Sequence, residues 1–185
     1  VFKTLYDKGL DYEGFKSMRL CPRCGTTLSN FEVNQGYKDI KDIAVFVPLP
    51  LADDPKTALV VWTTTPWTLP GNMAAAVHND YDYAVVETSN ENTPELERFI
   101  VAKDRVEAVF GDGEHTIVEE MKGSDLVGKS YLPPFGYYQE MDVKGKENAW
   151  KIYHADYVEL GAEGTGAVHL APAYGEDDLV LAQEH

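Results

Sequence analysis

The sequence predicts a mainly β, α+β fold: a β-barrel-like domain with a few peripheral helices. Short runs rich in β-branched and aromatic residues recur at close spacing, each bounded by Gly, Pro, Asn or Asp. Stretches with helical periodicity are few and short. The strand-like runs do not alternate with helices of crossover length, which argues against a doubly wound α/β sheet. In order, the runs are 43–48, 58–64, 83–87, 99–102, 115–120, 151–158 and 166–170. A helix end is read over 1–10 from apolar Val1, Leu5 and Tyr6, with Lys8 in the last turn and Gly9 as a stop. Residues 105–110 predict a short helix. The polar stretch 88–95 predicts a surface loop, Leu132-Pro133-Pro134-Phe135-Gly136 a rigid connection, and 140–148 a mobile hairpin tip. The composition changes near Tyr37, so residues 1–36 are expected to be a connecting segment and 37–185 the domain proper.

With 185 residues, 44% of them hydrophobic and 11% aromatic, the chain can bury a substantial core as one domain with a small appendage. No stretch approaches the ~20 apolar residues that span a bilayer. The first fifteen residues, Val1 to Phe15, are amphipathic and charged, unlike a signal peptide. The sequence starts without Met and stops in what reads as an opening helical turn, as expected of a piece of a longer polypeptide. A formal charge of −15 argues against an autonomous polyanion binder, which needs a basic face. It does not exclude a nucleic-acid end delivered by another domain. Most of this acidity is expected to be a solvated surface.

Cys21 and Cys24 are the two cysteines, in Cys21-Pro22-Arg23-Cys24-Gly25. A structural zinc site takes four ligands, and this pair supplies two. The nearest histidines in sequence are His78 and His115. A redox pair would sit between a strand and a helix, whereas Gly25-Thr26-Thr27 reads as a turn. Half of a zinc knuckle is therefore the favoured reading, with no metal expected in this chain alone.

Chemistry concentrates in two segments. The first is the run Thr63-Thr64-Thr65-Pro66-Trp67-Thr68, which follows an apolar strand and continues through Leu69-Pro70-Gly71-Asn72. Pro66 pushes Thr65 out of the helical region and has no N–H for a sheet ladder. Hydroxyls at such a strand exit are available to an uncharged polar ligand group such as an ester or a ribose. Threonine also suits strand surfaces, so alone the run reads as structural. Trp62, Trp67 and Trp150, judged singly, read as packing residues.

The second segment is Gly164-Thr165-Gly166-Ala167-Val168-His169-Leu170-Ala171-Pro172-Ala173-Tyr174-Gly175-Glu176-Asp177-Asp178. A dinucleotide fingerprint fails here, because His169 stands where the third glycine belongs and the strand follows the glycines. The segment reads as a strand ending in His169, then a Pro172 turn into a helix that opens on carboxylates. Acidic residues suit a first helical turn, and capping explains one of them better than three. A ligand with a cationic amine would suit the carboxylates. A serine nucleophile elbow, a Cys–His pair outside the knuckle and a His-Glu-x-x-His motif are all absent from the sequence. The residues alone reach a pocket with threonine hydroxyls, one histidine and one aspartate.

Together the two segments resemble the two editing signatures of class I aminoacyl-tRNA synthetases, in their connective polypeptide 1 domain. Thr65 and Trp67, where the valyl and leucyl branches typically carry Arg and an acidic residue, point to the isoleucyl branch. Cys21 to Gly25 resembles the zinc-knuckle half that precedes that domain. The His-Ile-Gly-His-like and Lys-Met-Ser-Lys-Ser-like synthetic signatures are absent, so no aminoacylation is expected of this chain.

The resemblance implies an aminoacyl-tRNA ester hydrolase within an isoleucine–tRNA ligase. Its substrate would be valyl-tRNA(Ile), with valyl-adenylate as a second one. By resemblance, Asp178 pairs with the α-ammonium, while His169 and Thr68 line the side-chain pocket. Thr63, Thr64 and Thr65 hydrogen-bond the ester and ribose, and Trp67 and Asn72 shape the adenosine site. No general base is identified. No cofactor is expected for editing, zinc only with ligands from outside this chain, and ATP and Mg only at the parent's synthetic site. The implied partners are the tRNA(Ile) 3′ end, the valyl group and the rest of the synthetase; a cytoplasmic, membrane-free monomer is expected. The alternatives are a non-catalytic module docking the aminoacylated CCA end, or the equivalent domain of a valyl or leucyl enzyme.

Overall fold

The computed structural model describes residues 1–185 apart from Asn90, Asn92, Val143 and Ala162. The chain divides into two units, Val1–Lys38 and Asp39–His185. The first holds helix α1 (Phe2–Asp7), a hairpin of β1 (Leu20–Cys21) and β2 (Thr26–Thr27), and helix α2 (Asn30–Val33). Ser29 and Glu32 form a capping box that starts α2. None of the residues in this unit is buried.

In the second unit, strands β3 (Val45–Pro50), β4 (Thr57–Thr63), β5 (Ala74–Val77), β6 (Asp82–Thr88) and β7 (Arg98–Ala102) come first. Helix α3 (Val106–Phe110), β8 (His115–Lys122), helix α4 (Gly123–Leu126), β9 (Ile152–His154), β10 (Ala167–Leu170) and helix α5 (Glu176–Glu184) follow. The five-stranded sheet runs β3-β4-β7-β6-β8, antiparallel except for the parallel β4–β7 pair. The three-stranded sheet runs β10-β5-β9, with β5 antiparallel to β10 and parallel to β9.

Alternation along each strand builds the layers. Leu59 and Val61 of β4 face one core together with Ala75 and Val77 of β5. Ala58 and Val60 face the other way, onto a cluster with Phe99, Val101 and Val106 of α3. Ala74 and Ala76 of β5 face a third cluster, against which Leu181 of α5 packs. Helix α3, the five-stranded sheet, the three-stranded sheet and α5 thus lie in succession. This explains why β4 reads as a nearly continuous apolar run: it is covered on both faces.

The sheet-rich α+β prediction holds, but the strands among the described residues form open sheets and do not close into a barrel. β3 carries Pro48 and Pro50, which have no N–H for an outer neighbour, so the five-stranded sheet stops there. Pro66 in turn diverts the chain out of that sheet after β4 and into the second one. Of the predicted 151–158 run only β9 is strand, and β5 was not anticipated. The predicted helix at 105–110 appears as α3, and the one opening near Gly175 as α5. The expected hairpin tip at 140–148 holds a 3-10 turn, Lys146–Asn148; its Val143 lies outside the described residues, as do Asn90 and Asn92 of the 88–95 loop.

Candidate active-site cleft

Where β4 ends, the chain enters a 3-10 turn, Pro66–Gly71, with Pro66 at its first position. Thr65 before it takes φ −123° and ψ 60°, outside the helical region, as a residue preceding proline must. Thr63 is buried, and its Oγ1 accepts the Thr65 N–H at 3.0 Å and lies 3.2 Å from Thr65 Oγ1. Thr64 and Thr65 are exposed. Thr68 Oγ1 donates to the Thr65 carbonyl at 2.8 Å and sits 3.1 Å from His169 Nε2. The one hydroxyl proton of Thr68 is committed to Thr65, so His169 must donate. The imidazole therefore carries its proton on Nε2. Its Nδ1 is enclosed and has no hydrogen-bond partner among the described residues. Burial lowers the His169 pKa, and the nearby Asp178 carboxylate opposes that shift. His169 is thus a neutral donor at physiological pH.

Asp178 is the third residue of α5. Its Oδ2 accepts the Ala171 N–H at 2.7 Å, and its Oδ1 takes no hydrogen bond among the described residues. Gly175 makes this arrangement possible: a Cβ there would stand 2.7 Å from Asp178 Cγ. Gly175 is also the helix N-cap and offers no side-chain cap. All three acidic residues lie in the first turn, where the helix dipole favours them. Glu176 and Asp177 are exposed, and only Asp178 turns toward the strand that carries His169.

These groups line one cleft of about 510 Å³, which holds Thr63, Thr64, Thr65, Trp67, Thr68, His169 and Asp178. Asp178 is the one ionised side chain among its described lining residues. A neutral polar cleft with a single carboxylate selects a ligand with one cationic group and uncharged polar groups beside it. Trp62, Val168, Ala171, Tyr174 and Gly175 also line it and were not singled out as site residues from the sequence. Tyr174 could have been suspected from its place in the second segment. Its ring lies close over Gly71, where a Cβ would come within 2.6 Å.

Asn72 departs from the expectation that it shapes a ligand site. It is 3% exposed, donates from Nδ2 to Ala74 O at 2.9 Å and accepts Tyr131 OH on Oδ1 at 2.7 Å. It is absent from the cleft wall, because a buried amide must spend its groups on core partners.

In the first unit, Cys24 N–H points at Cys21 Sγ at 3.4 Å, and Gly25 N–H closes the turn on Cys21 O at 2.8 Å. The Cys24 amide and thiol and the Arg23 amide lower the Cys21 pKa, while the same pairing raises that of Cys24. No group of three or more His, Cys, Asp or Glu side chains able to hold a metal occurs among the described residues. The pair is compatible with half a tetrahedral zinc site and not with a whole one.

The model of the class I tRNA synthetases (I, L, M and V) matches residues 1–172. The chain is 42% identical over its full length to isoleucine–tRNA ligase of Clostridium tetani, and 44% identical to that of Clostridium novyi. It is 44% identical, over 96% of its length, to the cytoplasmic isoleucine–tRNA ligase of Mus musculus. It spans only 17%, 17% and 14% of these three relatives. The crystal structure of GlLeuRS-CP1 matches with a TM-score of 0.56 at 20% identity, covering 69% of this chain and 44% of that one. The cytosolic leucyl-tRNA synthetase editing domain of P. knowlesi matches with a TM-score of 0.51 at 14% identity, covering 69% of this chain and 50% of that one. The chain therefore belongs to the class I tRNA synthetases, aligns with a segment of the isoleucine–tRNA ligases, and has the fold of an editing domain.

Proposed function

We propose that the cleft hydrolyses the ester of valyl-tRNA(Ile) and, as a second substrate, the acyl–phosphate anhydride of valyl-adenylate, as the editing site of a cytoplasmic isoleucine–tRNA ligase. The observation that carries this reading is the meeting of two segments 101 residues apart, joined by the Thr68–His169 hydrogen bond, in a cleft whose one ionised group is Asp178. An aminoacyl ester carries one ammonium among neutral ester and ribose oxygens, which is the complement of that lining.

In this reading Asp178 accepts the α-ammonium through Oδ1, while Ala171 N–H keeps the carboxylate oriented through Oδ2. Thr64 and Thr65 hydroxyls face the ester and ribose, and buried Thr63 fixes Thr65. Trp67, 62% exposed, flanks the adenosine. His169, held by Thr68, bounds the side-chain pocket and excludes a longer aliphatic chain. Water attacks the carbonyl, the hydroxyls stabilise the developing oxyanion, and the ester C–O bond breaks as a proton passes from the attacking water, by way of the adjacent free ribose hydroxyl, to the leaving ribose oxygen, which releases valine and the 3′ end of the tRNA. No cofactor takes part in this reading; ATP and Mg belong to the synthetic site of the whole ligase.

Selection against isoleucine is a matter of size. One methylene is worth about 1–3 kcal/mol, a general magnitude for which isoleucine against valine is itself the standard illustration and not a measurement on this chain. A synthetic site alone would thus pass too much valine, and a smaller hydrolytic site corrects it. The test is loss of ester from valyl-tRNA(Ile) and isoleucyl-tRNA(Ile) incubated with the chain. Valyl ester should be lost at least about tenfold faster. Equal rates would overturn the selection of valine by size, and no rate above buffer would overturn the assignment in favour of a docking module.

The Cys21–Cys24 turn supports a second, separate reading: half of a zinc knuckle, completed by two ligands elsewhere in the ligase. Zinc should bind the chain weakly and below one equivalent, and tightly in the whole ligase. Tight one-to-one binding by the chain alone would rule out the half-site. No helix among the described residues is long and apolar enough to cross a membrane.

A further inference from the structure

Asn72, which follows the turn Pro66–Gly71, has several partners. Besides its side-chain bonds to Ala74 O and Tyr131 OH, its carbonyl accepts Trp150 Nε1–H at 3.3 Å. The next carbonyl, of Met73, accepts the Trp150 backbone N–H at 2.6 Å, and the Trp150 carbonyl accepts the Tyr131 N–H at 2.9 Å. Trp150 stands at φ 56°, the one non-glycine residue with positive φ among those described. Such a conformation is strained for a bulky residue and persists only where its surroundings over-determine it. Tyr131 is 2% exposed, and burial pushes its phenol pKa up, so it remains a donor.

The place of this network gives it a consequence for the cleft. β5 pairs with β10 so that Ala75 stands opposite His169 and Ala74 opposite Leu170. Met73 N–H extends that ladder to Leu170 O at 2.9 Å. His169 is therefore fixed by β5. Thr68 is not in a strand; it sits in the turn Pro66–Gly71, which joins β5 through Asn72. The Thr68–His169 distance depends on the angle at which the turn leaves Asn72.

We infer that Tyr131 and Trp150 are positioning residues for the cleft: by holding Asn72 they set the threonine turn on β5 and keep Thr68 in register with His169. They touch no substrate. The inference rests on the editing reading for its kinetic consequence, but not for its structural one.

The experiment uses the chain with Tyr131→Phe, Trp150→Phe and, as a control, Tyr153→Phe. Tyr153 also loses a hydrogen bond, to Asn148 O at 2.7 Å, but has no bond to Asn72. Two quantities are read: valyl-tRNA(Ile) hydrolysis, and the His169 Nε2–H resonance that reports its bond to Thr68. Tyr131→Phe and Trp150→Phe should lower kcat about tenfold with KM within about twofold, since a small displacement of a positioning group acts on the reacting geometry. Both should shift or broaden the Nε2–H resonance, while Tyr153→Phe leaves both quantities unchanged. Adding Tyr131→Phe to Asn72→Ala should cost nothing further, because the hydroxyl acts through that amide. Wild-type kcat with an unshifted resonance overturns the inference, as does full additivity in the double variant or loss of the fold in both single variants. If the wild-type chain does not hydrolyse the ester, the editing reading falls, and the resonance alone decides the positioning role.

Discussion

At the scale of single residues, the cleft depends on keeping one negative charge beside one neutral imidazole. Asp178→Asn preserves an acceptor for Ala171 N–H and removes only the charge. It should lower kcat/KM for valyl-tRNA(Ile) by ten- to a hundredfold, from the roughly 1.5–3 kcal/mol of a charge-assisted bond, with the melting temperature near wild type. Asp177→Asn, at an exposed position, should leave the rate unchanged. His169 supplies a pH test. Its pKa is lowered chiefly by burial, so the folded protein releases this proton more readily than the unfolded chain. The stability it contributes is full above the ordinary histidine pKa of ~6.5 and is lost as pH falls from there through the lowered value. Hydrolysis should follow the same direction. An imidazolium would compete with the substrate ammonium for Asp178 and would have a second N–H with no acceptor at enclosed Nδ1. The rate should therefore hold at pH 6.5 and fall below it. A rate that rises on acidification would remove neutral His169 from the account.

At the scale of elements, the site hangs on the two junctions that follow β4 and β10, and each uses a residue without a side chain or without an N–H. Gly175→Ala tests the second junction. Its φ of −113° is open to alanine, so the backbone can stay, but the new methyl would stand within 2.7 Å of Asp178 Cγ. The carboxylate must rotate, the Ala171 N–H loses its acceptor, and hydrolysis should fall to near that of Asp178→Asn with α5 intact. Amide exchange at Ala171 should rise in parallel; a slow Ala171 amide with wild-type rate would show that Gly175 has no such part. These junctions also explain what was legible in the sequence. Pro66 and the threonines around it are a local signal, as are the glycine and acidic residues before α5. β5 was not legible: Ala74-Ala75-Ala76-Val77 has little strand propensity, and burial between two clusters makes it a strand. That the barrel-like arrangement stays open among the described residues was not legible either, because closure depends on which edges meet, and an alternating pattern does not encode that. Asn72 was misread because its partners, Tyr131 and Trp150, lie about 60 and 80 residues away.

At the scale of the whole molecule, charge decides how much of a tRNA this chain can hold. The formal charge is −15, with 16 basic residues. Among the described residues, Lys3, Lys56, Arg98, Lys103, Lys122 and Lys129 already face carboxylates. A surface of this kind neutralises few phosphates, and each neutralised phosphate would steepen the salt dependence by nearly one unit of log K per log salt. The chain should therefore bind tRNA(Ile) weakly, with a slope of about one to two, far below that of a protein making many backbone contacts. Its recognition should be confined to what enters the cleft: the aminoacyl group, the ester, the ribose and a flanking base. It follows that a short valylated mimic of the 3′ end should be hydrolysed with kcat/KM within about tenfold of the value for whole valyl-tRNA(Ile), since the tRNA body has little here to bind. The same pair compared in a complete isoleucine–tRNA ligase should differ much more, because there other domains deliver the 3′ end. A steep salt slope, or a strong preference of this chain for whole tRNA, would place a tRNA-body contact on its surface and refute the confinement of recognition to the cleft.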